Sequence, residues 1–419
     1  MDFLFVHNNF PAQFGPLANE LARSRRHRVA AIGAASSRRL PNVPLFQYRM
    51  PACDVSATHP FARRFDVECR RAEQVLFAVG EATAEGFEPD CVIAHSGWGE
   101  TLPLRALFPR ARHVVYCEFF YRPHGQDVNF DPEAPRLGVD GVTALHGRNA
   151  STLIALADAD LGLSPTEWQR STFPGEYQSK IAVVHEGVDT RRLCPDPKAE
   201  FKLRDGRRLT QADEVVTFIS RNLEPMRGYH KFLRALPDIL ARRPKAVVVI
   251  VGGDGCSYSH APPVGTTWKK HFLDEVVDEL DLSRVHFLNP LPYDDYLKLL
   301  QVSSTHVYLT YPFVLSWSLI EAMSLGCAIV ASDTAPVREA ITSGETGLLA
   351  PFHDSPAIAD AIVRNLSDRP GRLRRGQAAR ALARDRYDRD LCLRQALRAI
   401  GAESSDSTPS QSRPRLVAQ

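Results

Sequence analysis

The sequence predicts two α/β domains, each a doubly wound, Rossmann-like parallel sheet, facing each other across a cleft. Its 419 residues correspond to two or three domains at roughly 150 residues each. Short β-branched runs alternate with amphipathic stretches in both halves, a pattern typical of parallel sheets buried on both faces. The pattern lapses over Arg191–Asp213, which is rich in Pro, Asp, Lys and Arg and predicts a linker.

In the first half, we predict strands at Asp2–Val6, His27–Gly33, Cys91–His95, His113–Phe120, Ala159–Ser164 and Lys180–Gly187. Phe14, Leu17 and Leu21 recur at helical spacing, and Ala62–Phe77 is amphipathic. In the second half, we predict strands at Glu214–Ser220, Lys245–Gly253, Arg284–Leu291, His306–Thr310 and Cys327–Ser332. Helices are predicted between them at Gly228–Ala241, Trp268–Leu280, Tyr293–Val302 and Ser318–Leu325.

These elements divide the chain into an N-terminal domain over 1–195 and a C-terminal domain over 196–400. The final helix is placed in the second domain, with packing back onto the first as an alternative. Residues 401–419 lack apolar content and predict a disordered tail.

The composition narrows the classes of function. Apolar residues make up 44% and charged residues 24%, which excludes a disordered or membrane-spanning chain. Fifty-one basic and 49 acidic residues leave a net charge of +2, so no nucleic-acid partner is expected. The eight cysteines form no CxxC pair and predict buried free thiols. The first residues do not resemble a secretory signal, which favours a cytoplasmic location.

Polar and glycine residues follow the predicted strands of the second half, where ligands of open α/β sheets bind. Arg221 and Arg227 flank the start of a helix, and two guanidinium groups beside a helix N-terminus suit a diphosphate. Gly252–Gly255 follow a buried strand and allow a close backbone approach. Glu321 lies one turn into a helix and can hold two vicinal ribose hydroxyls; its structural alternative is a charge at a helix N-terminus.

These motifs together resemble a known family. The segments SRNLEPMRGYHKFLRAL, VVIVGGDG, PFVLSWSLIEAMSLGCAIVASDTAPVREAI and SGETGLLAPFHD look like the nucleotide-sugar half of family 4 retaining glycosyltransferases, which have the GT-B fold. In the first half, FVHNNFPAQFGPLANELARSRRHRV and LSPTEWQRSTFPGEYQSKIAVVHEGVDTRRLCP are similar to the same family. The resemblance covers essentially residues 1–400 and implies a hexosyltransferase of polysaccharide or glycoconjugate biosynthesis.

The resemblance implies roles for individual residues. Arg221 and Arg227 would bind the donor diphosphate, and Glu321 matches the second Glu of the family's E-x7-E signature, which binds the nucleotide ribose. The first Glu is replaced by Phe313, so another group takes over its sugar contact, or the accepted sugar differs, or the protein is inactive. The implied donor-binding set is Gly15, Gly252, Gly253, Asp254, Phe313, Leu315, Ser316, Trp317 and Ser318.

The first half supplies candidates for the residues that contact the donor sugar and the acceptor. Glu118 falls where many relatives carry a residue that meets the sugar near its reactive carbon, and His124 is a second catalytic candidate. His95 and Glu100 end a strand and are placed on the acceptor side. Each of these groups also has a purely structural alternative.

We therefore expect metal-independent, retaining transfer from a nucleoside-diphosphate sugar to a hydroxyl of a glycan, lipid-linked or protein acceptor, without a cofactor. Asp158–Asp160 match the DxD of metal-dependent transferases but lie at a helix–strand joint, which favours a structural role. A nucleotide-sugar 2-epimerase and an inactive sugar-nucleotide-binding subunit remain alternatives. An NAD-dependent dehydrogenase is excluded because no G-x-G-x-x-G follows a strand. The Arg-rich final helices favour a solvated face over a membrane-surface contact, and the latter stays open.

Overall fold

The computed structural model describes residues 1–24 and 26–403. Its first sheet has seven parallel strands in the order β3-β2-β1-β4-β5-β6-β7. These strands are β1 (Asp2–Val6), β2 (Arg28–Ala34), β3 (Leu45–Tyr48), β4 (Cys91–His95), β5 (Arg112–Tyr116), β6 (Leu161–Ser164) and β7 (Ile181–Val183). The helices around it are α1 (Gly15–Arg23), α2 (Arg63–Ala84), α3 (Leu104–Leu107), α4 (Val139–Arg148), α5 (Ala150–Asp158), α6 (Glu167–Thr172) and α7 (Gly175–Gln178).

A short antiparallel hairpin, β8 (Phe201–Lys202) and β9 (Arg208–Leu209), leads into the second sheet. That sheet is parallel, in the order β12-β11-β10-β13-β14-β15. Its strands are β10 (Glu214–Asn222), β11 (Ala246–Gly253), β12 (Val285–Leu288), β13 (Thr305–Tyr308), β14 (Ile329–Ser332) and β15 (Leu348–Ala350). The helices are α8 (Tyr229–Arg242), α9 (Trp268–Asp274), α10 (Tyr293–Val302), α11 (Trp317–Ser324), α12 (Ala335–Ala340), α13 (Ser355–Ser367), α14 (Arg369–Arg386) and α15 (Arg389–Ile400).

The two parallel sheets confirm the predicted fold class. Each strand order reverses once, between β1 and β4 in the first sheet and between β10 and β13 in the second. Ligands of doubly wound sheets bind at such reversal points, beyond the carboxyl ends of the strands. The chain after β1, β4, β5, β10 and β13 therefore lines the expected site.

Several predicted elements differ from those observed. The strand predicted over His113–Phe120 already ends at Tyr116, and the helix predicted over Trp268–Leu280 stops at Asp274, before a separate 3-10 turn. The predicted linker contains β8 and β9, because its few apolar side chains, including Phe201 and Leu209, are buried against the second sheet. Because the linker segment is polar on average, its composition did not indicate these buried apolar side chains.

The final helix, α15, packs against the first domain. Arg112 donates hydrogen bonds to the carbonyl oxygens of Ile400 at 2.9 Å and Ala399 at 3.1 Å. Ala402 is buried together with Ile400 in the apolar cluster that contains Phe3 and Phe5 of β1. The chain is therefore still packed at Ala402, past Gly401, where we expected the disordered tail to begin. The rest of that predicted tail, 404–419, lies outside the described residues.

A loop of the first domain contacts the second through a buried hydrogen-bond network. Asp131 accepts hydrogen bonds from His230 at 2.9 Å and from Tyr311 at 2.6 Å. Glu133 forms ion pairs with Lys231 and Arg234. Burial alone would raise the pKa of Asp131, but the bonds from His230 and Tyr311 outweigh it and hold that pKa well below its usual range. This network connects the loop that follows β5 to the start of α8.

All eight cysteines are free. Cys91, Cys117, Cys327 and Cys392 are buried, as predicted, whereas the other four are partly or fully exposed. The prediction of burial was therefore wrong for half of them, because those four lie in loops or on a helix surface outside the sheet strands. A search of the described helices finds none with the length and apolarity needed to cross a bilayer.

Candidate functional site

Arg227 lies at the carboxyl edge of the second sheet. Its Nη1 donates to Thr310 Oγ1 at 3.3 Å, and its guanidinium lies 5.0 Å from the ring centre of Tyr258. In the described part of the chain it forms no ion pair with a carboxylate. The next residue, Gly228, has a φ of +68°, and a Cβ there would lie 2.3 Å from Leu309. Glycine at this position therefore lets the Arg227 segment approach the end of β13.

The start of α11 lies beside this arginine. Ser316 is the N-cap residue: its hydroxyl accepts from the Ser318 amide at 3.3 Å, and its own amide donates to the Tyr308 hydroxyl at 3.0 Å. Burial raises the pKa of Tyr308, and the charge of Arg227 opposes that shift. Leu315 is buried. A cation and a helix N-terminus thus meet at one edge of the sheet, an arrangement that attracts anions.

Glu321 lies one turn into α11. Its Oε1 accepts from the Tyr293 hydroxyl at 2.6 Å and its Oε2 from the Tyr296 hydroxyl at 2.9 Å. Burial raises the pKa of Glu321, while these two hydrogen bonds favour the charged form. We define the C-terminal wall as Arg227, Tyr258, Thr310, Ser316 and Glu321.

Arg221 does not join this cluster. It follows an irregularity in the pairing of β10 with β11, and its side chain is exposed. Among the described residues, no side chain forms an ion pair or hydrogen bond with it. Its predicted contact with a diphosphate therefore stays a prediction.

The glycines at the end of β11 have a packing role beside their predicted contact with the donor, which stays a prediction. A Cβ at Gly252 would lie 2.7 Å from the side chain of Leu223, and one at Gly253 would lie 2.8 Å from Asn222 Oδ1. Both glycines are thus needed for packing against the end of β10, whatever ligand binds nearby. Asp254 points to the surface, where its carboxylate lies 3.6 Å from Lys269 Nζ.

Phe313 lies in an aromatic cluster between the two domains. Its ring centre is 4.7 Å from that of Phe119 and 5.3 Å from that of Tyr258, and only 6% of the residue is exposed. Phe119 also packs against Trp168. The position of the family's first signature Glu is therefore occupied by an apolar contact between the two halves.

The carboxyl ends of β1, β4 and β5 bring three ionisable side chains together, and we define His7, His95 and Glu118 as the N-terminal wall. The two imidazole rings lie 5.2 Å apart, and Glu118 Oε2 lies 3.4 Å from His95 Nε2. That nitrogen is buried without a hydrogen-bond partner, whereas His95 Nδ1 accepts from the Gly97 amide at 3.0 Å. Burial, aided by the charge of His95, lowers the pKa of His7 well below its ordinary value.

Three other predicted residues lie apart from the N-terminal wall. Glu100, predicted on the acceptor side, is fully buried and accepts from the Tyr48 hydroxyl at 2.6 Å, so an incoming acceptor has no access to it. His124 is exposed, and among the described residues it has no polar partner. Gly15 is the first residue of α1, directly after Phe14, whose ring contacts His7.

Glu186 connects the two walls. It accepts a hydrogen bond from the hydroxyl of Tyr116, whose ring contacts His95. Its other oxygen accepts from the indole nitrogen of Trp317, the first residue of α11, at 3.0 Å. One carboxylate therefore joins the end of β5 to the helix that carries Glu321.

Two family matches account for both halves of the chain. Residues 25–193 match the glycosyl transferase family 4 group, and residues 202–382 match the glycosyl transferases group 1. Both halves of the chain therefore match glycosyltransferase families. The solved sucrose-phosphate synthase from Thermosynechococcus elongatus has the same GT-B fold as this chain, with a TM-score of 0.70, 16% identity and coverage of 96% of this chain and 100% of that one.

Curated relatives are more similar in sequence, but each similarity covers only part of this chain and part of the relative. A D-inositol 3-phosphate glycosyltransferase from Nocardia farcinica is 30% identical over 48% of this chain and 43% of its own length. A phosphatidyl-myo-inositol mannosyltransferase from Mycolicibacterium smegmatis is 29% identical over 64% of this chain and 68% of its own. The matched region thus spans under half of the first relative and about two thirds of the second.

Candidate metal-ligating carboxylates at two places in the chain already have polar partners. In the DxD-like segment, Asp160 accepts from the His113 amide at 2.8 Å and pairs with Arg105 at 2.9 Å. Asp131, Glu133 and His230 each place one ligand atom within 4.8 Å of the others. Those atoms already take part in the hydrogen bonds and ion pairs between the domains, so a cation would have to displace them.

The sequence analysis missed Glu224 and the loop that it holds, which shape the site. Glu224 is buried, and its Oε2 accepts from the amides of Ser257, Tyr258 and Ser259 at 3.0 to 3.1 Å. It thereby fixes the loop that places Tyr258 over Arg227. Glu224 lies between Arg221 and Arg227 in the sequence, and this position between two predicted phosphate-binding residues could have identified it as a site residue.

Proposed function

We propose that the chain is a retaining, metal-independent glycosyltransferase that moves a sugar from a nucleoside diphosphate to an acceptor hydroxyl. The observation that carries this proposal is the meeting of Arg227, Thr310 and the start of α11 at the strand reversal of the second sheet. A guanidinium without a carboxylate partner among the described residues, beside a helix N-terminus, suits a diphosphate. Glu321, one turn further along α11, is placed to receive the ribose.

The C-terminal wall stabilises the leaving group in this mechanism. As the bond between the anomeric carbon and the diphosphate breaks, negative charge develops on the departing oxygen. Preorganised donors aimed at developing charge stabilise a transition state more than mobile water does. Arg227 and Thr310 supply such donors, and Arg221 joins them if its exposed side chain folds over the bound diphosphate.

The N-terminal wall faces the sugar. The acceptor oxygen bonds to the anomeric carbon from the face that the diphosphate leaves, and its proton passes to the departing phosphate oxygen. Glu118 is the candidate to stabilise the positive charge that develops on the sugar ring, and its carboxylate lies 3.4 Å from His95 Nε2. Glu118 is preferred to His124, which lies outside the wall.

In this proposal no metal takes part. Asp160 of the DxD-like segment is held by Arg105 and the His113 amide, which favours a structural role. The relatives are named for inositol phosphate and phosphatidylinositol substrates. By analogy, a hydroxyl on a polar or lipid-linked acceptor is the proposed substrate class here, with a cytoplasmic location and peripheral contact with a membrane where the acceptor is a lipid.

A thermal-shift screen against UDP, GDP, ADP and their sugars tests the proposal. At least one diphosphate should raise the melting temperature, and Arg227→Ala should abolish that response. Arg242→Ala is the matched control, because this exposed arginine lies at the far end of α8, about 20 Å along the helix axis. An unchanged response in Arg227→Ala would remove this residue from the site. Transfer that persists in EDTA would support metal independence.

Phe313 favours one rival, an inactive subunit that binds a sugar nucleotide. Donor binding without hydrolysis or transfer by the purified chain, across acceptors of all three classes, would support that rival. Conversion of the sugar nucleotide to its 2-epimer without an acceptor would instead identify an epimerase.

A further inference from the structure

The proposed ribose carboxylate already has a hydrogen bond on each oxygen. Tyr293 donates to Oε1 of Glu321 at 2.6 Å, and Tyr296 donates to Oε2 at 2.9 Å. Both tyrosines come from α10, three residues apart, so they face the same side of that helix. Two vicinal hydroxyls of a ribose would approach the same two oxygens.

The two tyrosines differ in how easily each side chain can be displaced from Glu321. Tyr293 is the first residue of α10 and is 44% exposed, with the guanidinium of Arg192 5.2 Å from its ring centre. Arg192 itself pairs at the surface with Asp294. Tyr296 packs against the buried cluster that contains Leu319 and Met323. Tyr293 can therefore rotate into water without opening the core, whereas Tyr296 cannot.

We propose that Tyr293 occupies the ribose position on Glu321 in the free protein and is displaced when the donor binds, while Tyr296 remains and orients the carboxylate. This inference rests on the proposed function. An ionised carboxylate has about four acceptor positions, so Glu321 can keep the bond from Tyr296 while it accepts from the ribose. Tyr293 is then a positioning residue that tunes donor affinity.

The two tyrosines should therefore have opposite effects on binding. A protein whose binding-competent form is only partly populated binds its ligand correspondingly more weakly. Tyr293→Phe removes the competing hydrogen bond and should tighten nucleoside-diphosphate binding by about threefold to tenfold. Tyr296→Phe leaves the carboxylate poorly oriented and should weaken binding by about tenfold.

The experiment measures dissociation constants by calorimetry, with the one of UDP, GDP or ADP that gives the largest thermal shift. The variants are Tyr293→Phe, Tyr296→Phe, Glu321→Ala and the double variant of Tyr293→Phe with Glu321→Ala. Tyr177→Phe, a partly exposed phenol on α7 of the first domain, is the matched control. The 2′,3′-dideoxy form of the same diphosphate is the second probe. The gain in affinity from Tyr293→Phe should vanish with that probe, and it should also vanish in the Glu321→Ala background.

Each outcome decides a specific point. Unchanged or weaker binding in Tyr293→Phe overturns the inference, and so does a gain that persists with the dideoxy probe. In either case binding by the unaltered chain leaves the proposed function standing. Failure of the unaltered chain to bind any of the three diphosphates overturns the proposed function, and the inference with it.

Discussion

The two walls of the cleft hold their charged groups in opposite ways. In the C-terminal wall, Arg227 lies among hydroxyl groups and an aromatic ring, and no carboxylate among the described residues neutralises it. In the N-terminal wall, the ring centre of the buried His95 imidazole lies 5.2 Å from that of His7, and its Nε2 lies 3.4 Å from the partly exposed carboxylate of Glu118. The first arrangement offers permanent positive charge, and the second offers a carboxylate beside imidazoles. We infer that the C-terminal wall governs diphosphate affinity and departure of the diphosphate, whereas the N-terminal wall governs the charge that develops on the sugar.

The largest test of this separation is Glu118→Gln. If Glu118 stabilises charge on the sugar, its loss should slow transfer by about a hundredfold while the affinity for the free diphosphate stays within about twofold. Steady-state kinetics and calorimetry measure the two quantities separately. His124→Gln is the comparison variant for the rival candidate. A larger loss of transfer in His124→Gln than in Glu118→Gln would reverse the assignment.

Glu224→Ala should damage the C-terminal wall alone. Three backbone amides would lose their acceptor, at a cost of about 2 kcal/mol, and the loop that places Tyr258 over Arg227 would loosen. The melting temperature and the diphosphate affinity should both fall, with Glu224→Gln in between because it keeps one amide oxygen. Retention of full affinity in Glu224→Ala would show that the position of Tyr258 is irrelevant to binding.

Acid should weaken the contact that joins the two halves. The bonds from His230 and Tyr311 depress the pKa of Asp131, and the cations beside Glu133 lower its pKa to about 2. A depressed carboxyl pKa contributes stability that is complete above the unfolded-state value and is lost as the pH falls through the folded-state value. Burial lowers the pKa of His230, which also favours the folded state above its unfolded value.

The expected result is a melting temperature that falls as the pH is lowered from about 6.5, the ordinary histidine value, to about 2, the folded-state pKa of Glu133. Asp131→Asn should cost about 1 to 2 kcal/mol at neutral pH and flatten this acid dependence. Melting curves across that range provide the measurement, with Asp360→Asn as a surface control on α13. An identical acid dependence in Asp131→Asn and the unaltered chain would place the titration elsewhere.

Much of the fold followed from the sequence because it depends on short-range patterns. Tyr293–Val302 was predicted to the residue as a helix, and the strands before each candidate site were recognised by their continuous apolar side chains. The carboxyl ends of strands then indicated where Arg227, Glu118 and Glu321 would lie. Such placement needs only the topology of parallel sheets.

The parts that could not be predicted depend on distant contacts. Nothing local to Glu321 shows that two tyrosines 25 and 28 residues away already donate to it. The glycines at the end of β11 were interpreted as ligand contacts, and nothing local shows that they also pack closely against Asn222 and Leu223. Glu100 was read as a site residue because it follows a strand, yet its side chain is buried beside Tyr48. Sequence position identified the edge of the sheet but not the direction of each side chain.

The smallest expected effect concerns Phe313, which lies where the two walls touch. Phe313→Leu keeps an apolar side chain and loses the edge contact with Phe119, worth about 1 kcal/mol. Transfer should continue, with only a few-fold change in the preference between donor sugars, because a phenyl ring excludes water and shapes the pocket without hydrogen bonding to the sugar. Competition between different sugars carried by the same nucleoside diphosphate measures that preference, and Phe287→Leu on β12 serves as a partly buried control. If Phe313→Leu abolished transfer while leaving the melting temperature unchanged, the ring itself would belong to the reacting site, and the division of labour between the two walls would fail at their point of contact.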